Sequence, residues 1–255
     1  MTQLDRVAPT GSNNKLRIPK PCLHRAQDNS KQPANSLDTT MKKLAFITAI
    51  AACSLLLTGC VTGRRTIELP VTQVGGSTGA KGAIFLSAVE DARVFENKPK
   101  EASTPSVDGD VNSLSKEQLA TMIGRQRNTY GKALGDIGLN PGDTVVKRTR
   151  LLLEEGLRRR GYTVTDNATA PDTMSVKIEQ FWAWFTPGMW VISFDANVAC
   201  KITITRGGTT KTITVRGYAN NKGQVASNAN WQLAYQKAFD DFLAKLDTEL
   251  AQAGL

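Results

Sequence analysis

The four residues Leu57-Thr58-Gly59-Cys60 are the ones whose types and order could do chemistry. An aliphatic residue, a small one and glycine fit beside a scissile bond. The thiol that follows is then free to take a diacylglycerol. Ahead of them, Met41-Lys42-Lys43 is cationic and Leu44 to Leu57 is an apolar run of 14 residues. That run is too short to span a bilayer, which takes about 20 apolar residues, but it has the length of an export signal. Together these features predict cleavage before Cys60, with Leu57, Thr58 and Gly59 read by the signal peptidase. Cys60 would carry covalent diacylglycerol and an N-acyl chain, and no other cofactor is expected. Val61 follows Cys60 where an Asp would favour retention in the inner membrane. The expected location is therefore the periplasmic face of the outer membrane, with lipid as the anchor.

Cutting at Cys60 also removes chemistry. Cys22, Cys53 and the single histidine, His24, precede the cut. Cys200 is left as the one free thiol, so no internal disulfide can form. A mature chain without histidine has no Ser-His-Asp, Cys-His or His–metal chemistry. Eight of the 32 basic residues and three of the 23 acidic ones precede Cys60, leaving 24 and 20. The net charge of +9 thus falls to +4 after processing, and no nucleic-acid partner is expected.

Two stretches of the mature chain could bind a partner. Gly124 to Gly135 sets Arg125, Arg127 and Lys132 among glycines, where backbone N–H groups and cations could converge on an anion. It is not a P-loop: six residues separate Gly124 from Gly131-Lys132, and Ala133 replaces the magnesium-holding Ser/Thr. One reading is a site for phosphate or carboxylate groups of peptidoglycan or lipid. The other is an ordered loop whose arginines bond its own backbone and nearby acids. The second stretch, Phe181 to Trp190, holds three of the four tryptophans. If Trp182 and Trp184 point to the helices, Phe181 and Phe185 point away. Phe181, Trp184, Phe185, Met189 and Trp190 would then form a surface for an envelope protein partner, unless 97–140 folds over it. Cys200 lies in phase with apolar neighbours and reads as a buried hydrophobe. Glu90, Asp91, Asp136, Asp143 and Asp172 sit near turns with no two paired, so caps and turn bonds are their expected work, and no enzyme activity is expected.

Apolar periodicity supplies the elements that position these residues. Residues 1–40 are polar and aperiodic, expected to be either a mis-called start ahead of the natural one at Met41 or a disordered extension; 41–59 is the signal and 60–81 a lipidated tether. The domain spans 82–255, with 97–140 as a long loop containing a short helix from Ser115. Ala83 to Val89 reads as a buried strand. Val145, Thr149, Leu152, Leu153, Gly156 and Leu157 recur at helical spacing after Asn140-Pro141-Gly142-Asp143, and Gly161 ends that helix. Alternation over Met174–Trp184, Trp190–Ile204 and Lys211–Tyr218 gives three strands, the last two joined at Gly207-Gly208. A closing helix runs from about Asn230 to Ala251. This order predicts an α+β two-layer sandwich: a mostly antiparallel sheet of about four to five strands with two helices on one face.

The lipobox, the strand Ile84–Val89, the run Leu157-Arg158-Arg159-Arg160-Gly161-Tyr162-Thr163-Val164, the strand pairs and the closing helix resemble the YajG-type family of uncharacterised bacterial lipoproteins. The likeness covers most of 82–250. It implies compartment and fold and supplies no mechanism. The architecture is also similar to auxiliary lipoproteins of lipid and lipopolysaccharide transport machines, at the level of fold alone. The function read from the sequence is a non-enzymatic accessory lipoprotein that binds a protein partner, with envelope glycan or lipid binding at 124–135 as the alternative.

Overall fold

A computed structural model describes residues 63–73, 81–128 and 130–255, all within the unit Cys60–Leu255. Residues 1–59, the lipobox and Cys60 lie outside the described residues.

Among the described residues the architecture is α+β, with eight strands and three α-helices. The strands are β1 (Arg65–Ile67), β2 (Gly82–Asp91), β3 (Met122–Arg127), β4 (Ala133–Leu139), β5 (Tyr162–Thr165), β6 (Asp172–Pro187), β7 (Ile192–Arg206) and β8 (Thr209–Gly223). The helices are α1 (Lys116–Leu119), α2 (Val145–Arg159) and α3 (Asn228–Ala253). The expected four to five strands become eight because β3 and β4 form inside the stretch read as a loop. In addition, β1 pairs within the stretch read as a tether, while β5 is the strand expected to follow Gly161 at Tyr162-Thr163-Val164. The sheet is mixed, although most of its paired positions are antiparallel as expected. β1–β4, β2–β5, β2–β6 and β3–β6 pair parallel; the long β6–β7 and β7–β8 ladders and β3–β4 are antiparallel.

The central strand β6 organises the rest. One edge pairs along its whole length with β7. The other edge is shared: β2 takes Asp172 to Ile178, and β3 takes Ala183 and Trp184. The sheet therefore forks, with β2–β5 on one branch and β3–β4–β1 on the other. Arg93 fills the fork. Its fully buried guanidinium donates to the carbonyls of Leu119 (2.9 Å), Met122 (2.6 Å) and Phe181 (3.0 Å), and pairs with Asp91 at 2.8 Å. Backbone carbonyls left unpaired by the divergence thus gain a charged donor.

β6 also contains a bulge. Its register with β7 slips between Ile178 and Gln180, leaving Glu179 extra. One extra residue reverses every side chain beyond it. Met174, Val176 and Ile178 face the helices, and beyond the bulge so do Phe181, Ala183 and Phe185. Trp182 and Trp184 face the other side.

The main core lies between the sheet and the helices. α2 is capped by Thr144, whose side chain accepts from the Lys147 amide; Asp143 accepts from the Thr144 amide and pairs with Arg148. Ser227 caps α3 in the same way, and Gly254 ends it at φ 90°. Trp231, Tyr235, Ala238, Phe239, Phe242, Leu246 and Leu250 form the buried stripe of α3 expected from its periodicity. Phe181 stacks on Tyr235 with centroids 5.2 Å apart, and Phe185 meets Trp231 edge-on at 6.1 Å. A smaller core lies on the opposite face. There Trp182 packs with Val107, Met122 and Phe95, and its indole N–H donates to Ala102 O at 3.1 Å. The segment 95–121 folds over that face, held by the capping box of Ser115 and Gln118 at α1.

Candidate binding cleft

The residues at 124–135 form a β-hairpin, not a loop. Its turn is built on Asn128, whose side-chain oxygen accepts from the amides of Tyr130 (3.0 Å) and Lys132 (2.9 Å), while Gly131 supplies φ 78°. β1 crosses close beside it: a Cβ on Gly135 would lie 2.1 Å from Gly63 O, so no larger residue fits there.

Arg125 and Arg127 alternate along β3 on the face away from the helices, and the segment 97–110 lies across them. Both are over nine-tenths buried. Arg125 donates to Val107 O and to Asp108 at 3.2 Å, and faces Asp136 at 3.6 Å. Arg127 donates to Pro99 O at 2.8 Å and Ser106 Oγ at 2.9 Å. Their partners are Asp136 and groups of the covering segment 97–110, and none is the backbone of 124–135 itself. Burial, and then the like charge of Arg125, lower the Arg127 pKa. Burial raises that of Asp136, against the Asp108 amide and Arg125, which act the other way.

The three basic residues singled out at 124–135 converge. Arg125, Arg127 and Lys132 line one open cleft of about 800 Å3 with Lys98 and Tyr130. Lys98 stands at its lip with φ 49°, a left-handed conformation uncommon for a side-chain-bearing residue. Asp108 and Asp110 line the same cleft. A second cleft, of about 670 Å3, lies along α2 beside β5. Within it Arg150 pairs with Glu154 and Asp166, and Arg158 with Glu155.

The aromatic stretch is divided. Phe181 is fully buried and Phe185 is 5% exposed, both against α3, so the expected outward-facing phenylalanines are corrected by the Glu179 bulge. Trp184 is half-buried at the small core. Met189 and Trp190 alone are open, at 88% and 84% exposed in the β6–β7 turn.

The thiol and the five acids singled out near turns are placed as structural groups. Burial pushes the Cys200 thiol up, as for an inert core cysteine. Glu90, Asp91, Asp136, Asp143 and Asp172 each face a different basic side chain. No cluster of three or more metal-ligating side chains occurs among the described residues. Two polar features have no sequence signature. One is Arg93. The other is buried Asp195, which accepts from Tyr218 Oη and from Asn220 at 2.8 Å. That bond to Asp195 is the largest cause pushing the Tyr218 pKa up to about 12.

The described residues form an α+β domain, and no helix among them is long and apolar enough to cross a membrane. Residues 135–253 match the model of the family described as uncharacterized lipoprotein, and the resemblance to YajG-type lipoproteins holds over that span. No curated protein matches the chain. Among solved structures, protein XCC0632 of Xanthomonas campestris, from family DUF330, is 10% identical with a TM-score of 0.40, over 75% of this chain and 96% of that one. The hypothetical protein CT253 of Chlamydia trachomatis is 10% identical with a TM-score of 0.34, over 68% and 99%.

Proposed function

We propose that this protein is a lipid-anchored lipoprotein of the outer membrane, on its periplasmic face, that acts by binding an acidic envelope ligand and not by catalysis. The observation that carries the reading is the convergence of Arg125, Arg127 and Lys132, with Lys98 and Tyr130, on one cleft of ligand-binding size. The buried arginines set the shape and the positive potential of its floor. Lys98 and Lys132 at the lip are exposed and reach a ligand directly. Phosphate or carboxylate groups of lipopolysaccharide or peptidoglycan have the required charge. The exposed tyrosine suits a sugar or glycerol face beside that charge. An envelope protein partner at the aromatic stretch has less support, because Phe181 and Phe185 lie in the core.

The test is binding of the mature protein to purified lipopolysaccharide and to peptidoglycan at rising salt. Binding to one of them weakens as salt rises, and the double variant Lys98→Ala with Lys132→Ala binds about five- to tenfold more weakly with an unchanged circular dichroism spectrum. Binding indifferent to both salt and variant, or no binding to either material, overturns the reading.

A further inference from the structure

The register of the sheet places several unrelated segments at one end. Arg65 lies opposite Ile137, Gly124 opposite both Ile137 and Ala183, and Ile192 opposite Gly223. Following these strands in the direction in which β6 runs, the chain reaches four places. These are Gly63 at the entry to β1, the β3–β4 turn, the β6–β7 turn, and the segment 224–227 that leads into α3. The bonds across this end agree: Gly63 N–H donates to Leu134 O at 2.9 Å, and Arg65 donates to Ala226 O at 2.7 Å.

The exposed apolar side chains gather at the same end. Of the eight large apolar or aromatic residues exposed among the described residues, five are here: Tyr130, Met189, Trp190, Val191 and Val225. Arg64, Lys132 and Lys222 are exposed beside them. The sequences 128–134, 186–192 and 221–230 contain no Asp or Glu. Tryptophan and tyrosine with flanking lysine and arginine suit the boundary between water and lipid, where rings sit at headgroup level and cations meet anionic lipid.

The position of the anchor decides what occupies this surface. Cys60 precedes Gly63 by three residues, and three residues reach at most about 11 Å. A lipid on Cys60 therefore holds this end of the sheet, and no other, within reach of the headgroups. Short tethering keeps the local concentration of lipid at the surface high, so weak apolar contacts become effective.

We infer that the β6–β7 turn inserts Met189 and Trp190 into the headgroup region of the bilayer that holds Cys60, with Tyr130, Val225 and the neighbouring cations as the rest of the docking surface. The inference rests on the lipid-anchor reading of Cys60. It goes beyond it by giving the domain a fixed orientation on the membrane, with the cleft beside Tyr130 and Lys132 at the membrane-facing end.

The experiment uses the mature lipidated protein in vesicles of phosphatidylethanolamine and phosphatidylglycerol that contain a bromine-labelled phospholipid, which quenches nearby tryptophan. Trp182 and Trp231 are fully buried and Trp184 is half-buried, so Trp190 is the indole open to lipid. Flotation and the mass of the Cys60 peptide report the anchor; quenching reports the docking. The expected result is an acylated Cys60 peptide, flotation of both the wild type and Trp190→Phe, and quenching in the wild type that is lost in the variant. Acylated, floating wild-type protein with unquenched emission, or with quenching unchanged in Trp190→Phe, overturns the docking while leaving the anchor intact. A Cys60 peptide without acyl mass removes the anchor reading and the docking with it. In cells, a photo-crosslinking group at Met189 that captures one discrete protein in place of phospholipid assigns the surface to a protein partner and overturns the inference.

Discussion

The guanidinium of Arg93 donates to the carbonyl of Phe181 at 3.0 Å, at the point where β6 changes from β2 to β3 as its neighbour. The same side chain bonds the Met122 and Leu119 carbonyls and the Asp91 carboxylate. It therefore joins the two branches of the sheet and one end of α1. Both the small core and the floor of the cleft depend on that junction, because Met122 begins β3 and Arg125 and Arg127 follow on the same strand.

Arg93→Ala leaves the buried carbonyls of Met122 and Phe181, and the half-buried one of Leu119, without this donor and Asp91 without its cation. A loss of about 3 kcal/mol is expected in urea unfolding, with Arg93→Lys recovering less than half because a single ammonium cannot reproduce the planar fork. Unfolding midpoints equal to that of the wild type would show that the fork is held by packing alone.

Close approach of α3 to the sheet gives a second prediction. A Cβ on Gly217 would lie 2.3 Å from Ala238 O and 2.5 Å from Phe242 Cβ, where backbone blocks any adjustment. A Cβ on Gly156 meets Leu246 Cδ2 at 2.5 Å, the mobile end of a side chain. Gly217→Ala should cost about 2 kcal/mol or more. Gly156→Ala should cost much less, because the gain in helix propensity, up to about 1 kcal/mol, offsets the repacking. Thermal unfolding of the two variants checks the order; the reverse order would place the tight helix–sheet contact elsewhere.

The Tyr218–Asp195 bond makes a prediction in alkali. The folded pKa of Tyr218 is about 12 against an ordinary 10. A raised folded pKa means that the stabilisation is complete below pH 10 and is lost as pH rises through about 12. Removing the hydroxyl abolishes that dependence. Tyr218→Phe should therefore lose less stability than the wild type between pH 10 and 12, and its ultraviolet titration should lack one phenolate step near pH 12. A step missing near pH 10 in place of pH 12 would show that Tyr218 ionises as a free phenol.

Much of this was legible in the residues. The stripe from Trp231 to Leu250 and the alternation from Phe194 to Ile204 hold because neither element contains an irregularity. Beyond Ile178 the alternation of β6 still reads cleanly, but in the wrong phase. Glu179 has no glycine or proline to mark it as a bulge, and one residue was enough to send Phe181 into the core and Trp182 outward. The hairpin of β3 and β4 is masked by composition, since glycine, aspartate and alanine are depleted in strands. The spacing of Arg125 and Arg127 was the available signal: two residues apart, they share one face of a strand. Arg93 follows an ordinary acidic turn in the sequence. Its partners are backbone atoms brought together from three distant segments, and backbone atoms leave no mark on composition.

The parallel pairing of β1 has a consequence in time. Arg65 emerges early from the ribosome, yet its partner Ile137 comes much later, after β2, the covering segment and β3. β2 waits in the same way for Tyr162. Closing such long loops before any pairing energy is gained makes assembly slow. Residues 65–67 are therefore without a partner strand until the rest of the sheet has been made, and β1 is among the last strands to find its place.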